Sequence, residues 1–201
     1  MNPGAATTRR GPSGAPIGRL APIAAGAALV ALWAAAMDTH WDGHGDAHWA
    51  RFLLDCALGW TLLALAWIDW QLLRLPDILT LPLLGLGLAA TLLEAPDALL
   101  SSVIGALAGY LALRLIDEGY RRLRGHEGLG QGDAKLLAAG GAWLGWEALP
   151  WVVLLAAFVG LALALLQRAR GVALTRDTAL PFGPPLALAI WIVRLHGFPQ
   201  F

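Results

Sequence analysis

The chain has 201 residues, of which 58% are hydrophobic and only 14% are charged. A soluble domain has about 25% charged residues, so this composition indicates an integral membrane protein. Its 14 Lys and Arg residues are balanced by 14 Asp and Glu residues and are spread thinly along the chain. Nucleic-acid binding requires a clustered basic surface, and that class of function is therefore excluded.

Seven apolar segments follow one another along the chain, and each is a candidate membrane helix. They lie at residues 20–37, 49–68, 78–93, 98–116, 134–146, 148–167 and 179–193. A straight helix needs about 20 residues to cross the hydrocarbon layer, so several of these segments are short. Three glycines lie in or at the end of the 134–146 segment, which predicts only a partial span. We expect an all-α fold, a polytopic transmembrane bundle of six to seven helices.

The N-terminal tail differs in composition from the rest of the chain. Residues 1–19 are rich in Gly, Pro and Ala and contain three arginines. We therefore divide the chain into a basic cytoplasmic tail (1–19), an extra N-terminal helix with a periplasmic loop (20–48) and a membrane domain (49–201).

Arginines occur in alternate loops between the apolar segments. They are Arg9, Arg10, Arg19, Arg74, Arg121, Arg122, Arg124, Arg168, Arg170 and Arg176. Because Lys and Arg accumulate in cytoplasmic loops, we expect a cytoplasmic N-terminus. The same orientation predicts that Asp69 and Asp133 both lie at the cytoplasmic face.

These two carboxylates are the best candidates for chemistry. Asp69 ends one apolar segment, and Asp133 begins another directly after Gly130-Gln131-Gly132. An ionisable group at the edge of the hydrocarbon is costly and therefore a functional hypothesis by default. Two carboxylates facing each other in a poorly solvated place share a proton, which suggests acid–base chemistry.

Four sequence blocks follow one another along the chain, and the first two contain these residues. The first joins Ile68-Asp69 to Leu75-Pro76-Asp77, and the second is Glu127-Gly-Leu-Gly-Gln-Gly-Asp133-Ala-Lys135. The others are Gly141-Ala-Trp-Leu-Gly-Trp146 and Pro181-Phe-Gly-Pro184. With these blocks the chain resembles the type 4 prepilin peptidases, membrane aspartyl proteases that have a Gly-x-Gly-Asp signature.

The resemblance implies an enzyme in which Asp69 and Asp133 are the catalytic pair and no cofactor or metal takes part. It implies cleavage of leader peptides from type IV prepilins or type II secretion pseudopilins, in the bacterial inner membrane. Larger members carry Cys-x-x-Cys motifs associated with methylation of the product. Since Cys56 is the single cysteine here, we expect no N-methyltransferase activity.

Helix polarity predicts unequal roles for the two aspartates. Asp69 ends a helix, where the negative dipole end disfavours a carboxylate, and Asp133 begins one, where the positive end stabilises it. We therefore expect Asp133 to be the ionised partner and Asp69 the proton donor.

Five further residues are expected to support substrate binding or the structure of the site: Gly130, Gly132, Lys135, Asp77 and Glu127. The glycines suit a backbone with positive φ or a close approach of substrate. Lys135 either pairs with an acid or extends to the membrane interface.

Acidic residues near the cytoplasmic face have two expected roles. Asp77 follows Pro76, so capping of a helix start is favoured over catalysis. Together with Asp117, Glu118 and Glu127, it is also expected to attract a basic leader peptide.

Two other functions remain open at this point. A proton-coupled transporter also has intramembrane carboxylates, although it more often shows repeated halves. A non-catalytic assembly factor of a pilus or secretion system is the second alternative.

Two polar groups outside these blocks have simpler interpretations. The histidines of residues 38–48 are expected to lie in a solvated loop, with a metal site as the alternative. Arg51 and Asp55 have the spacing of an ion pair on one helix surface.

Overall fold

The computed structural model describes residues 47–124, 130–171 and 181–197, together with Gly26, Ala28 and Val30. Within these ranges the chain forms six α-helices and no β-strand. The helices are α1 (Ala47–Leu72), α2 (Asp77–Glu94), α3 (Leu99–Arg124), α4 (Gln131–Leu144), α5 (Leu149–Ala169) and α6 (Gly183–His196), with a 3₁₀ turn at Pro96–Ala98. The predicted all-α fold is confirmed.

Among the described residues, four segments are long and apolar enough to cross a membrane. They are Trp49–Leu72, Asp77–Glu94, Pro96–Arg122 and Leu149–Ala169. Large apolar side chains on them remain exposed, among them Ile78 at 79% and Leu161 at 57%. Such surfaces need an apolar solvent, which a bilayer supplies. The protein is therefore a helical membrane bundle, as predicted.

Helix α4 is the most enclosed element of the bundle. Its 14 residues extend about 21 Å at 1.5 Å per residue, and from Asp133 to Trp143 every residue except Lys135 is buried. It packs against α2, α3 and α6. Small residues allow this close packing: a Cβ on Gly141 would meet the backbone of Gly105 in α3. The short, glycine-containing segment thus forms the centre of the fold.

The bundle has a polar cluster at the end away from Asp69. Arg194 of α6 donates hydrogen bonds to Asp55 of α1 at 2.8 Å and to Glu94 of α2 at 3.1 Å. Arg51 was the partner expected for Asp55, on the same helix. The structure pairs Asp55 across the bundle with Arg194, and this contact joins three helices.

Helix α3 continues two turns beyond the predicted apolar segment, as far as Arg124. Asp117 and Glu118 therefore lie on a helix and not in a loop. Glu118 forms ion pairs with Arg121 and Arg122. Pairs at these three- and four-residue spacings stabilise a helix, which explains why it persists in a charged segment.

The predicted N-terminal helix falls largely outside the described residues. Gly26, Ala28 and Val30 are helical, and Val30 lies against Gly59 of α1. The basic tail and most of the His-rich segment at 38–48 also lie outside the described ranges. The domain division and the choice between a loop and a metal site stay predictions.

Candidate active site

Asp69 lies one turn before the end of α1 and is 5% exposed. Its Oδ2 accepts a hydrogen bond from the backbone N–H of Gly183 at 3.0 Å. Gly183 is the first residue of α6, so this contact joins the end of one helix to the start of another.

No side chain other than hydrogen fits at position 183. A Cβ there would lie 2.6 Å from Oδ2 of Asp69 and 2.8 Å from its Cγ. Gly183 belongs to the Pro181-Phe-Gly-Pro184 block of the sequence, but the sequence alone indicated no role for it. A glycine directly before two prolines at a helix start is the sequence feature that indicates a close contact there.

Asp133 lies in the first turn of α4 and is 7% exposed. Its backbone N–H donates to the carbonyl of Gly130 at 3.1 Å, which closes the turn before the helix. Its side-chain Oδ1 is fully buried and has no hydrogen-bond partner within the part of the chain that the structure describes. A buried carboxyl oxygen of this kind favours the neutral, protonated form.

The two carboxyl groups interact electrostatically, although they belong to different helices. Burial, followed by the negative charge of Asp69, raises the pKa of Asp133 from 3.8 to about 7, while a hydrogen bond from the Gly130 backbone acts to lower it. Asp133 lies outside the four candidate membrane spans. The structure therefore brings together the two residues that the sequence singled out.

The expected polarity of the pair is not supported. The helix-dipole argument made Asp133 the ionised partner, but a dipole contributes only about 0.3–1 kcal/mol. Burial and the charge of Asp69 together raise the pKa of Asp133 to about 7 despite the dipole. The raised pKa of Asp133 favours its protonated form, opposite to the direction expected from the dipole.

Of the two expectations for the glycines before Asp133, positive φ or a close approach of substrate, the structure tests the first. Gly130 is the N-cap of α4 with φ −67° and ψ 136°, an ordinary extended conformation. Gly132 lies within α4, and a Cβ there would be 2.6 Å from Cβ of Leu75. Gly132 therefore serves the close packing of α4 on the segment between α1 and α2, and neither glycine has positive φ.

Lys135 forms an ion pair with Asp77, the first residue of α2. Helix α2 begins at Asp77 as expected, but the Asp77 carboxylate forms an ion pair with Lys135. The side chains are 27% and 56% exposed, respectively. Of the two interpretations of Lys135, the structure shows pairing with an acid. Glu127 lies outside the described residues.

Of the acids expected to attract a basic leader, the three that the structure describes already have partners. Asp77 pairs with Lys135, and Glu118 pairs with Arg121 and Arg122. Asp117 is 8% exposed and lies 3.9 Å from Arg114. These intramolecular contacts reduce the negative potential available to a substrate.

An apolar groove of about 290 Å³ is lined in part by the sequence neighbours of Asp69 and Gly183. Trp70, which follows Asp69, and Phe182, which precedes Gly183, form part of its wall. The other lining residues are Ala157, Gly160, Leu161, Leu163, Ala164, Gln167, Pro181 and Pro185. The candidate site thus combines two buried carboxyl groups with an adjoining apolar surface.

Comparison with known proteins places these features in a family. Residues 56–165, which include both aspartates, match the model of the type IV leader peptidase family. The matched segment is more than half of the chain.

Curated relatives are named as leader peptidases too. The chain is 49% identical over 144 residues to the prepilin leader peptidase/N-methyltransferase of Aeromonas hydrophila, covering 70% of this chain and 48% of that protein. It is 51% identical over 140 residues to the protein of that name from Burkholderia pseudomallei strain K96243, covering 70% and 45%. The Pseudomonas aeruginosa protein of that name is 44% identical over 141 residues, covering 70% and 48%.

The chain spans about half the length of these curated relatives. No solved structure matches it significantly. The family match alone covers residues from α1 to α5, and the ordered blocks of the sequence agree with it. The chain therefore belongs to the type IV leader peptidase family.

Proposed function

We propose that this chain is a membrane aspartyl endopeptidase in which Asp69 and Asp133 are the catalytic residues. The main observation in favour is that two buried carboxyl groups, one from α1 and one from α4, interact electrostatically at one end of the bundle. Aspartic proteases use two carboxyl groups that share one proton. The raised pKa of Asp133 supports such a proton-sharing pair.

In the proposed peptide hydrolysis, each carboxyl group has a separate role. Asp69, whose Oδ2 is held by the Gly183 amide, is the ionised base and takes a proton from the attacking water. The water oxygen bonds to the scissile carbonyl carbon, and Asp133 gives its proton to the carbonyl oxygen. When the C–N bond breaks, the leaving nitrogen takes the proton from Asp69, and Asp133 regains the proton from the tetrahedral oxygen.

The proposed substrates are precursors of type IV pilins or type II secretion pseudopilins. The relatives are named prepilin leader peptidases, and the family resemblance implies a basic leader ahead of an apolar helix. The groove between Trp70, Gly160 and Phe182 offers an apolar surface that begins at the residue following Asp69. We propose that it receives the apolar segment that follows the scissile bond.

The proposed location is the bacterial inner membrane, with the two aspartates at its cytoplasmic face. Arg74, Arg121, Arg122, Arg168 and Arg170 lie near the helix ends on the side of Asp69. Because the positive-inside rule places such residues in the cytoplasm, it favours this orientation.

The test is cleavage of a full-length prepilin by the purified chain in detergent or liposomes, with products identified by mass spectrometry. Cleavage directly after the leader is the expected result. A non-catalytic assembly factor would bind the precursor and leave it intact, and a proton-coupled transporter would leave it intact while moving protons across the liposome membrane. Either result would overturn the proposal.

A further inference from the structure

The start of α6 offers very few hydrogen-bond donors. The first four N–H groups of a helix normally lack partners within it. Here the second and third residues are Pro184 and Pro185, which have no N–H group. The fourth, Leu186, donates to the carbonyl of Phe182 at 3.1 Å. Gly183 therefore provides the single N–H group of this first turn that is available to another helix.

That one donor is used on Asp69. The N–H of Gly183 lies 3.0 Å from Oδ2, and the missing side chain leaves room for the carboxyl group to approach. The contact occupies one carboxyl oxygen and fixes the plane of the group. The other oxygen remains for the reaction.

We propose that Gly183 is a positioning residue, whose backbone amide orients the Asp69 carboxylate toward the reacting water. This inference rests on the proposed function and extends it to a residue outside the segment 56–165 that the family model matches. In this proposal Gly183 acts only through Asp69 and does not contact the substrate.

The first test is Gly183→Ala in the cleavage assay. The added methyl group must displace the carboxyl group, and misplacement by about 1 Å can cost about 100-fold in rate. We expect kcat to fall by about 100-fold and KM to change by less than about threefold, since substrate binding is not the function affected.

Gly87→Ala is the matched control. Its Cβ would lie 2.5 Å from the Trp143 ring, so it also introduces a methyl group into a packed helix contact. Its neighbours do not include Asp69, and we expect a lower Tm with kcat per folded molecule within about threefold of the unsubstituted chain. Equal losses of kcat in both variants, or near-normal kcat in Gly183→Ala, would overturn the inference.

The second test requires no enzymatic activity. Phe182-Gly183 is the only Phe-Gly pair in the chain, so carbonyl-¹³C phenylalanine combined with ¹⁵N glycine labels one amide for a single NMR peak. We expect this amide proton to move upfield in Asp69→Ala, because its acceptor is lost, and to move much less in Asp133→Ala. An unmoved peak in Asp69→Ala would refute the hydrogen bond even if Gly183→Ala fails to fold.

The two tests separate this inference from the proposed function. If the unsubstituted chain cleaves no precursor, the proposed function fails, and the role of Gly183 in that reaction fails with it. If the unsubstituted chain cleaves and Gly183→Ala does so equally well, only the positioning role is wrong.

Discussion

Lys135 and Asp77 form an ion pair that links the second turn of α4 to the first residue of α2. Lys135 is two positions from Asp133 and Asp77 is eight from Asp69, so the pair is close in sequence to both candidate catalytic residues. Because both side chains are partly exposed, the pair contributes at most about 1 kcal/mol to stability. We infer that it sets the position of the start of α4.

Asp77→Asn and Lys135→Met are therefore expected to lower the cleavage rate only partly, by about 3- to 30-fold, with little change in Tm. The exchange Asp77→Lys with Lys135→Asp restores opposite charges and should recover part of the loss. Cleavage rates of the two single variants and the exchange variant provide the measurement. Complete inactivity of Asp77→Asn, without rescue by the exchange, would indicate that Asp77 takes part in catalysis.

The contact of Gly141 with Gly105 gives a prediction on stability. A methyl group at 141 would overlap the backbone of α3, which cannot move as a flexible side chain can. Gly141→Ala is expected to destabilise the protein by about 1–3 kcal/mol, the usual range for overpacking. Thermal unfolding in detergent, followed by circular dichroism, measures the effect.

Gly85→Ala is the control for that substitution. Gly85 also lies inside a helix, but a Cβ there would meet nothing within 4 Å. Replacing an unconstrained helical glycine by alanine stabilises by about 0.5–1 kcal/mol. A Gly141→Ala variant as stable as Gly85→Ala would contradict the close packing of α3 and α4.

The pKa of Asp133 makes stability depend on pH. The folded value of about 7 lies above the ordinary value of 3.8, so the folded protein holds this proton more tightly than the unfolded chain. The stabilisation is complete below about pH 4 and is lost as pH rises through 7. Its size is on the order of 4 kcal/mol at most.

Asp133→Asn removes this titration. The variant should therefore unfold at a higher temperature than the unsubstituted chain at pH 8, and the difference should shrink toward zero near pH 4. Parallel melting curves at several pH values test this expectation. A difference that is constant with pH would contradict the raised pKa.

The same pKa predicts the alkaline limit of activity. The reaction requires a protonated Asp133, so kcat should fall as pH rises through about 7. The rate at low pH should fall as the base is protonated, which gives a bell-shaped profile belonging to the coupled pair. A rate that stays level to pH 9 would exclude Asp133 as the acid.

The cysteine content predicts that this chain does not methylate its product. Cys56 is its single cysteine and is buried in α1, whereas the resemblance associates methylation with paired Cys-x-x-Cys motifs. We expect an unmodified N-terminus after cleavage in the presence of S-adenosylmethionine. Mass spectrometry detects the mass of a methyl group, and its appearance with this chain alone would contradict the prediction.

The helices and the positions of Asp69 and Asp133 were predictable because both depend on local sequence. Apolar segment length indicates a membrane helix, and a carboxylate at the end of such a segment is costly enough to stand out. The ordered blocks around the two residues then indicated that they belong to one site.

Contacts between distant helices were not predictable in the same way. Asp55 has Arg51 one turn away, but the fold brings Arg194 of α6 to within 2.8 Å. The protonation order of the aspartates likewise depends on burial, which helix polarity does not reveal. Gly183 could be recognised as constrained, but its partner required the three-dimensional structure.

The central claim is that Asp69 and Asp133 together catalyse leader cleavage. Its most direct test is processing of a co-expressed prepilin in bacterial membranes by Asp69→Asn and Asp133→Asn, with each variant's membrane level measured by immunoblot. We predict that both variants insert at normal levels and that processing falls at least about 1,000-fold, because either change removes half of the proton-sharing pair. Near-complete processing by either inserted variant would contradict the claim.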